Sequence, residues 1–577
     1  MISAGLLVAS LALTSAASAT VDTLQIVLDN TLTTGGVTPL SAFAAFGYDP
    51  VNDVIYATGF SGTGQDIRIV RDVSSTPAFD PLVDRLVTNT PWVRFLKDGD
   101  LDRGGGAPTP GSMRLNPLPI LNPDSSVAFP AYSLAVIADG GAQVTDGGTP
   151  RPDLSQRIYR YNLQKDLNAD ARDEMTSLVT TATLQGIAGA TSASTNISRQ
   201  PAFSSDGQSI FFIESSAAYG GLYRTNVLTG ATTLLLPSPS TESTNNAEPA
   251  VIQVGGVDRV LLRGTNSVAN EGGIDYFDTA AGTRNVLVAA QDLADFLEIP
   301  LTTTTGTTVD VNIDIASFAS DDEGNVYFNN TDSSPDRRGI FKLDPQGRII
   351  KVVGYAERKE IFGPFTTTGN PNNNTLRMQV REVPLPGGAA EGAPATINQV
   401  LYVENSPVNM IAGAYVFAPG DFNRDNLVTS VDYDLFGPAL TIRGVAAPIA
   451  NLKFDLNASG AVDWKDVKIL QTFTLFPDGD TNFDGTVNFN DLLTLAQNYD
   501  QTISTRTWIL GDFDGDDITD FDDLLTLAQN YVDSPLVVPT GFSNQFVTDW
   551  NFAQSLVPEP ATLVVLGGVV ALSLRRR

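Results

Sequence analysis

Between residues 21 and 420 the apolar positions fall in short runs, many alternating with polar ones, and each run is cut by a turn bearing Gly, Asp or Asn. That pattern predicts half-buried strands joined by tight connections rather than helices. In QPAFSSDGQSIFFIESSAAYGGLYRTNVLTGATTLLL the run Ile210–Ile213 follows a turn at Asp206-Gly207. Gly221-Leu222-Tyr223 then opens a second strand and Thr229-Gly230 turns into a third. The stretch ASFASDDEGNVYFNNTDSSPDRRGIFKLDPQGRIIKVVG repeats it, with Phe318 in the place of Phe203, strands at Val326–Phe328 and Gly339–Phe341, and a turn at Gln346-Gly347. Weaker copies begin at GYDPVNDVIYATG, SVAFPAYSLAVIADGG, EPAVIQVGGVDRVLLRG and INQVLYVENS. The units number about six, each of about 40 residues or more, the length of one propeller blade.

After residue 420 the period changes. LLTLAQNY places Leu492, Leu495, Ala496 and Tyr499 at i, i+3, i+4 and i+7, and the identical octapeptide follows Asp523, 32 residues on. Amphipathic helices are expected there. Two further apolar runs lie near the ends: LLVASLAL, closing on Ala17-Ser18-Ala19, and ATLVVLGGVVALSL, between VPEP and Arg575–Arg577.

Composition sharpens this picture in three ways. At 577 residues the chain is long enough for two or more domains, and 50 Gly with 34 Pro favours a turn-rich β protein. The net charge of -30 argues against nucleic-acid binding, and residues 420–556 hold 21 Asp, no Glu and 6 Lys plus Arg, half of the excess. The absence of Cys and His removes disulfides, thiolate or imidazole metal sites and His-based triads, leaving carboxylate-held hard cations as the available staple.

Four segments of the acidic region have the spacing of an EF-hand-type calcium loop, with oxygen ligands at positions 1, 3, 5, 9 and 12, a carbonyl at 7 and a sharp turn at 6. The first offers Asp421, Asn423, Asp425, Leu427, Thr429 and Asp432, with Asn426 at the turn. The second offers Asp455, Asn457, Ser459, Ala461, Asp463 and Asp466 around Gly460; Ser459 replaces a carboxylate and is expected to lower affinity. The third, Asp480, Asn482, Asp484, Thr486, Asn488 and Asp491 around Gly485, matches best. The fourth, Asp512, Asp514, Asp516, Ile518, Asp520 and Asp523, puts Asp517 at the turn, where a positive φ is expected at some cost.

A loop running into a helix, with Asp at position 12 and no helix evident before it, resembles the dockerin type I repeat over roughly a fifth of the chain. The resemblance implies calcium as the cofactor and a cohesin-like partner. At positions 10 and 11, where dockerins choose that partner, this chain has Ser430-Val431, Trp464-Lys465, Phe489-Asn490 and Phe521-Asp522 rather than small hydroxyl pairs; the aromatics either recognise a partner or pack the module. The segment Ser204–Leu222 resembles the WD40-like repeat of TolB-type propellers, with an extended two-sheet sandwich as the alternative.

The tail VPEPATLVVLGGVVALSLRRR resembles the PEP-CTERM sorting signal, which implies processing by an exosortase near Val557, Pro558, Glu559 and Pro560. Its apolar run would reach about 21 Å as a helix, short of a bilayer core of about 30 Å, and its arginines would stay cytoplasmic. At the other end Ala17 and Ala19 mark a signal-peptidase site, although no basic residue precedes the run, which raises a misplaced start codon.

The expected organisation is mainly β. It comprises a signal peptide (1–19), a β-propeller of about six blades (20–419), two small α calcium-loop pairs (420–475 and 476–535), a linker (536–556) and a sorting signal with a hydrophobic helix (557–577). The leading function is an exported, non-catalytic calcium-binding protein of a Gram-negative envelope or matrix, anchored transiently. Its propeller would serve as a platform for an envelope protein or glycan. The alternatives are a polysaccharide-degrading enzyme carrying a dockerin, and an inert structural component. Candidate paired carboxylates such as Asp321, Asp322 and Glu323 lie in a turn and read better as solvated surface; no residue is assigned a catalytic role.

Overall fold

The computed structural model describes residues 24–33, 43–61, 64–71, 78–79, 85–86, 102–103, 110–139, 144–146, 149–150, 156–163, 175–191, 197, 199–216, 218–237, 247–264, 272–298, 302–304, 308–310, 315–330, 338–362, 376–386, 388–389, 391–404, 410–474, 476–500, 503–532 and 542–557. The expected signal peptide with Ala17 and Ala19, and the tail from Pro558 onward, lie outside them.

Five sheets have the antiparallel four-stranded meander of a propeller blade. Their innermost strands are Phe43–Asp49, Pro110–Leu115, Ala202–Phe203, Val251–Val254 and Phe318–Ser320. In one meander Ser209–Glu214, sandwiched between neighbouring blades, is buried throughout, whereas Thr232–Pro237 at the rim is half exposed. The expectation of about six like blades is therefore corrected to five. A further, five-stranded sheet is composite, made of Leu376–Pro384, Thr396–Glu404, Met410–Tyr415, then Leu24–Thr33 from the other end of the region, then Ala78–Phe79. Leu24 pairs with Ala414 and Gln25 with Gly413, so the ends of the propeller region are hydrogen-bonded to each other and an open edge is removed.

Side chains stitch neighbouring inner strands around the axis. Gln379 Nε2 donates to the Phe46 carbonyl (2.7 Å), Gln200 Nε2 to that of Met113 (2.6 Å) and Ser320 Oγ to that of Val251 (2.8 Å). Ser317 Oγ donates to Glu248 (2.7 Å), and Glu248 pairs with buried Arg377. A polar ring of this kind satisfies groups that face the narrow axis and would otherwise be orphaned.

Three short helices follow outer strands: α1 (Thr181–Ala188), α2 (Ala290–Leu297) and α3 (Tyr355–Phe362). In α2, Ala290, Leu293, Ala294 and Leu297 are buried at i, i+3, i+4 and i+7, a helical period within a region expected to be strand throughout.

The acidic segment contains α4 (Ser430–Phe436), α5 (Trp464–Phe473), α6 (Phe489–Asn498), α7 (Phe521–Asn530) and α8 (Asn544–Leu556). Two corrections follow. One apolar core spans all of it, from Phe422, Phe436 and Phe454 through Leu470, Phe483 and Leu492 to Trp508, Leu524 and Trp550, in place of two separate pairs. Most of the expected linker is α8, whose Phe546, Trp550 and Ala553 are buried; Phe521 stacks on Phe552 at 5.6 Å and Tyr499 Oη donates to Asp549 (2.7 Å). No helix among the described residues is long and apolar enough to cross a membrane.

The segment packs on the propeller. Lys351 N donates to the Leu456 carbonyl (2.9 Å), Asn426 Nδ2 to those of Pro394 and Thr396 (2.9 and 3.1 Å), and Arg348 Nη1 to that of Thr472 (2.9 Å). Ala458 belongs to the core between two blades.

Candidate functional site

The four loops fold alike, because each is a chain of Asx-type turns that short acidic and amide side chains make with the backbone ahead of them. In the third, Asp480 accepts from Asp484 N (3.3 Å) and Gly485 N (2.7 Å), and Asn482 Oδ1 accepts from Asp484 N (3.0 Å). Position 1 does the same in the first two loops, where Asp421 holds Asp425 N and Asn426 N and Asp455 holds Ser459 N and Gly460 N; in the fourth, Asp512 holds Gly515 N at position 4 and Asp517 N at position 6. The position 5 side chains Asp425, Ser459, Asp484 and Asp516 each accept the N–H of position 7, namely Leu427, Ala461, Thr486 and Ile518.

The turn residue has a positive φ in every loop: Asn426 68°, Gly460 80°, Gly485 86° and Asp517 67°. The strain expected at Asp517 is therefore present, and its Oδ1 accepts Arg443 N at 2.9 Å. The residue at position 4 is also left-handed, at Arg424, Ala458, Phe483 and Gly515; nothing in the residue types of the first three signals this.

Position 12 closes each loop. Asp432 accepts from Phe422 N, Asn423 N and Thr429 N (2.8 to 2.9 Å), Asp466 from Leu456 N and Asp463 N, Asp491 from Thr481 N and Asn488 N, and Asp523 from Phe513 N and Asp520 N. The same four carboxylates form capping boxes with Thr429, Asp463, Asn488 and Asp520, so each loop end is also the start of a helix. Loops three and four are joined reciprocally: Val532 N donates to the Val487 carbonyl (3.0 Å) and Asp500 N to that of Thr519 (3.1 Å). Each loop thus leans on the chain just beyond the other loop's helix.

All side-chain donors at these positions are oxygens or amides, a set that fits a hard divalent cation rather than a soft metal. Asp512, Asp514 and Asp516 bring carboxylate oxygens within 4.8 Å of one another. Burial drives three of the position 1 carboxyls upward, Asp421 and Asp480 to about 6 and Asp512 to about 7, and lifts Asp523 to about 8. Burial disfavours the charged form, and a cation among these carboxyls would restore it.

Two of the position 10 aromatics pack within the segment, while Val431, Asn490 and Asp522 at position 11 are exposed. Phe521 is covered by Phe552, and the Trp464 indole lies on Gly515 so closely that a Cβ there would sit 2.0 Å from Nε1.

On the propeller, a cavity of about 540 Å³ opens on the axis, lined by Tyr48, Arg114, Tyr132, Phe203, Asp321 and Gln379 among others. Asp321 is committed to its turn, accepting from Asn325 N (3.0 Å), Asn325 Nδ2 (2.7 Å) and Tyr327 Oη (2.9 Å), while Asp322 and Glu323 are exposed.

No family model matches this sequence and no curated protein does. Solved structures similar to it include a protein of unknown function from Bacteroides thetaiotaomicron, with 13% identity over 68% of this chain and 76% of that one and a TM-score of 0.36. A gluconolactonase from Xanthomonas campestris gives 9%, 68%, 89% and 0.33 in the same order, and TolB from Acinetobacter baumannii gives 11%, 65%, 63% and 0.27. Scores this low leave the fold resting on the strand pairing itself.

Proposed function

We propose that this is an exported, non-catalytic calcium-binding protein of the cell envelope or extracellular matrix, with a propeller that serves as the binding platform and a calcium-loop segment packed against it. The observation that carries the reading is the repetition, four times over, of one loop whose buried position 1 and position 12 carboxylates are held by backbone N–H groups around a turn of positive φ. Asp421, Asp455, Asp480 and Asp512 open the four sites. The carbonyls of Leu427, Ala461, Thr486 and Ile518 follow the turn, and Asp432, Asp466, Asp491 and Asp523 close them. Calcium would neutralise oxygens that otherwise repel, so its binding energy would be folding energy for the segment.

The propeller's partner in this reading is an envelope protein or a glycan. A cohesin-like partner is less well supported, since Phe521 and Trp464 are already engaged within the chain. The engagement of Asp321 in its turn weighs against the polysaccharide-degrading alternative, which needs two carboxyls free to face a substrate. Val557, the first residue of the sorting motif, packs against the core at the end of α8, so processing by an exosortase would act on chain leaving a folded surface.

The test uses the whole chain. Three of its four tryptophans, Trp464, Trp508 and Trp550, lie in the acidic segment, so intrinsic fluorescence reports on it. Chelator should unfold residues 421–556 and open them to protease while the propeller persists; identical fluorescence and cleavage with calcium and with chelator would sink the reading.

A further inference from the structure

The second loop is the one that lacks a carboxylate at position 5, and the structure shows what stands in for it. In the first and third loops the position 3 asparagine is held at both ends from within the loop. Asn423 Oδ1 accepts Asp425 N (3.0 Å) while its Nδ2 donates to the Asp425 carboxylate (3.1 Å), and Asn482 does the same with Asp484 (3.0 and 3.0 Å). An amide held this way keeps its oxygen turned into the loop, where a cation would need it. In the second loop Asn457 Oδ1 accepts Ser459 N (3.0 Å), but Ser459 has no carboxylate to receive Nδ2. The acceptor comes instead from 159 positions away: Asn457 Nδ2 donates to Glu298 Oε1 at 3.2 Å.

Glu298 is the C-terminal cap of α2 on the propeller, in left-handed conformation at φ 54° and ψ 34°, where glycine is the usual residue. The same Oε1 pairs with Lys465 Nζ at 3.1 Å, and Glu298 lines, with Asp455, Ser459 and Asp463, a cavity of about 400 Å³ between propeller and segment. Asn457 itself is almost fully buried. An ionised carboxylate only accepts and a backbone N–H only donates, so these two neighbours together dictate which end of the amide faces inward.

We propose that Glu298 is the positioning residue of the second loop: it replaces the missing position 5 carboxylate as the partner of Asn457 and thereby couples cation binding at Asp455–Asp466 to the seating of the segment on the propeller. The coupling is reciprocal. A seated propeller pre-orients a ligand of the second loop, and an occupied second loop holds the propeller contact more tightly, by the same factor. Outer-shell groups that orient a ligand contribute roughly 10- to 100-fold in metal affinity, so the effect is measurable at one site. The inference rests on the calcium reading above.

The experiment follows hydrogen–deuterium exchange of the peptides spanning 455–466 and 480–491 in the intact protein across a titration with calcium ion alone. Glu298→Ala should raise the calcium midpoint of the second loop by about 10-fold and leave that of the third loop where it was. Glu298→Gln keeps an acceptor oxygen and Lys465→Met removes only the ion pair, so each should move the midpoint by less than about threefold. In an Asn457→Asp background both side-chain atoms are oxygens and no orientation is needed; there Glu298→Ala should leave the second loop as tight or tighter. A second-loop midpoint unmoved by Glu298→Ala, or moved as far by Lys465→Met or Glu298→Gln, overturns the inference alone. A parent protein in which neither loop gains protection overturns the calcium reading and this inference with it.

Discussion

Replacing Gly515 with alanine isolates the contact that ties the second loop to the fourth. Gly515 sits at φ 78°, and a Cβ built on it would meet Trp464 Nε1, Cδ1 and Cε2 at 2.0 to 2.2 Å, far inside contact distance, so the indole must leave. Two effects then add. The left-handed backbone costs an alanine about 1 kcal/mol, and displacing a half-buried indole forfeits about 2 kcal/mol of packing. The expected loss is about 3 kcal/mol from the acidic segment. Gly485 is the control: it has φ 86° but nothing within 4 Å of a built Cβ, so Gly485→Ala should show the backbone effect alone, about 1 kcal/mol. In a Trp464→Ala background Gly515→Ala should shrink to that same value, because the steric conflict is gone. Urea unfolding at saturating calcium, followed by tryptophan fluorescence in the Trp464-containing proteins and by hydrogen exchange in all four, measures the cycle. Equal losses for Gly515→Ala and Gly485→Ala, or no shrinkage in the Trp464→Ala background, would refute the reasoning.

Trp550→Ala empties the fully buried centre of α8 and should cost the acidic segment about 3 to 5 kcal/mol by denaturant melting, as expected for a core helix and not for a linker. Asp491→Ala should abolish one calcium site by equilibrium dialysis. It should also cost the segment at least about 1 kcal/mol in urea melts at saturating calcium, since the same carboxylate caps α6. Glu248→Gln leaves Arg377 buried without its counter-charge and should destabilise the propeller by about 3 to 5 kcal/mol in thermal unfolding, whereas Glu248→Gln with Arg377→Met should cost less than Glu248→Gln alone. Deleting residues 24–33 removes the strand that pairs with Met410–Tyr415 and should leave a propeller that oligomerises through its open edge, read by light scattering.

The candidate cation loops were legible because everything that makes them is local. Position 1 reaches positions 5 and 6 through a few covalent bonds, so the spacing of Asp480, Asn482 and Asp484 around Gly485 is enough to specify the turns found there, and the substitution at Asp517 is enough to foretell its positive φ. The strand pairs at Ser209–Glu214 and Gly339–Leu343 were legible for the same reason, being set by turns at Gly207 and Gly347. The blade count was not, since whether a meander stands alone or joins a composite sheet depends on Leu24 finding Ala414 across most of the chain.

What the sequence by itself determined, then, is the chemistry of each loop and the β character of the region before it. Tertiary structure alone decided that Phe422 to Trp550 form one core, that Asn544–Leu556 is a helix covering Phe521, and that Glu298 meets Asn457. Local turns follow from short covalent reach, whereas these contacts are the outcome of many small burial terms summed over distant surfaces, and no single spacing along the chain carries that sum.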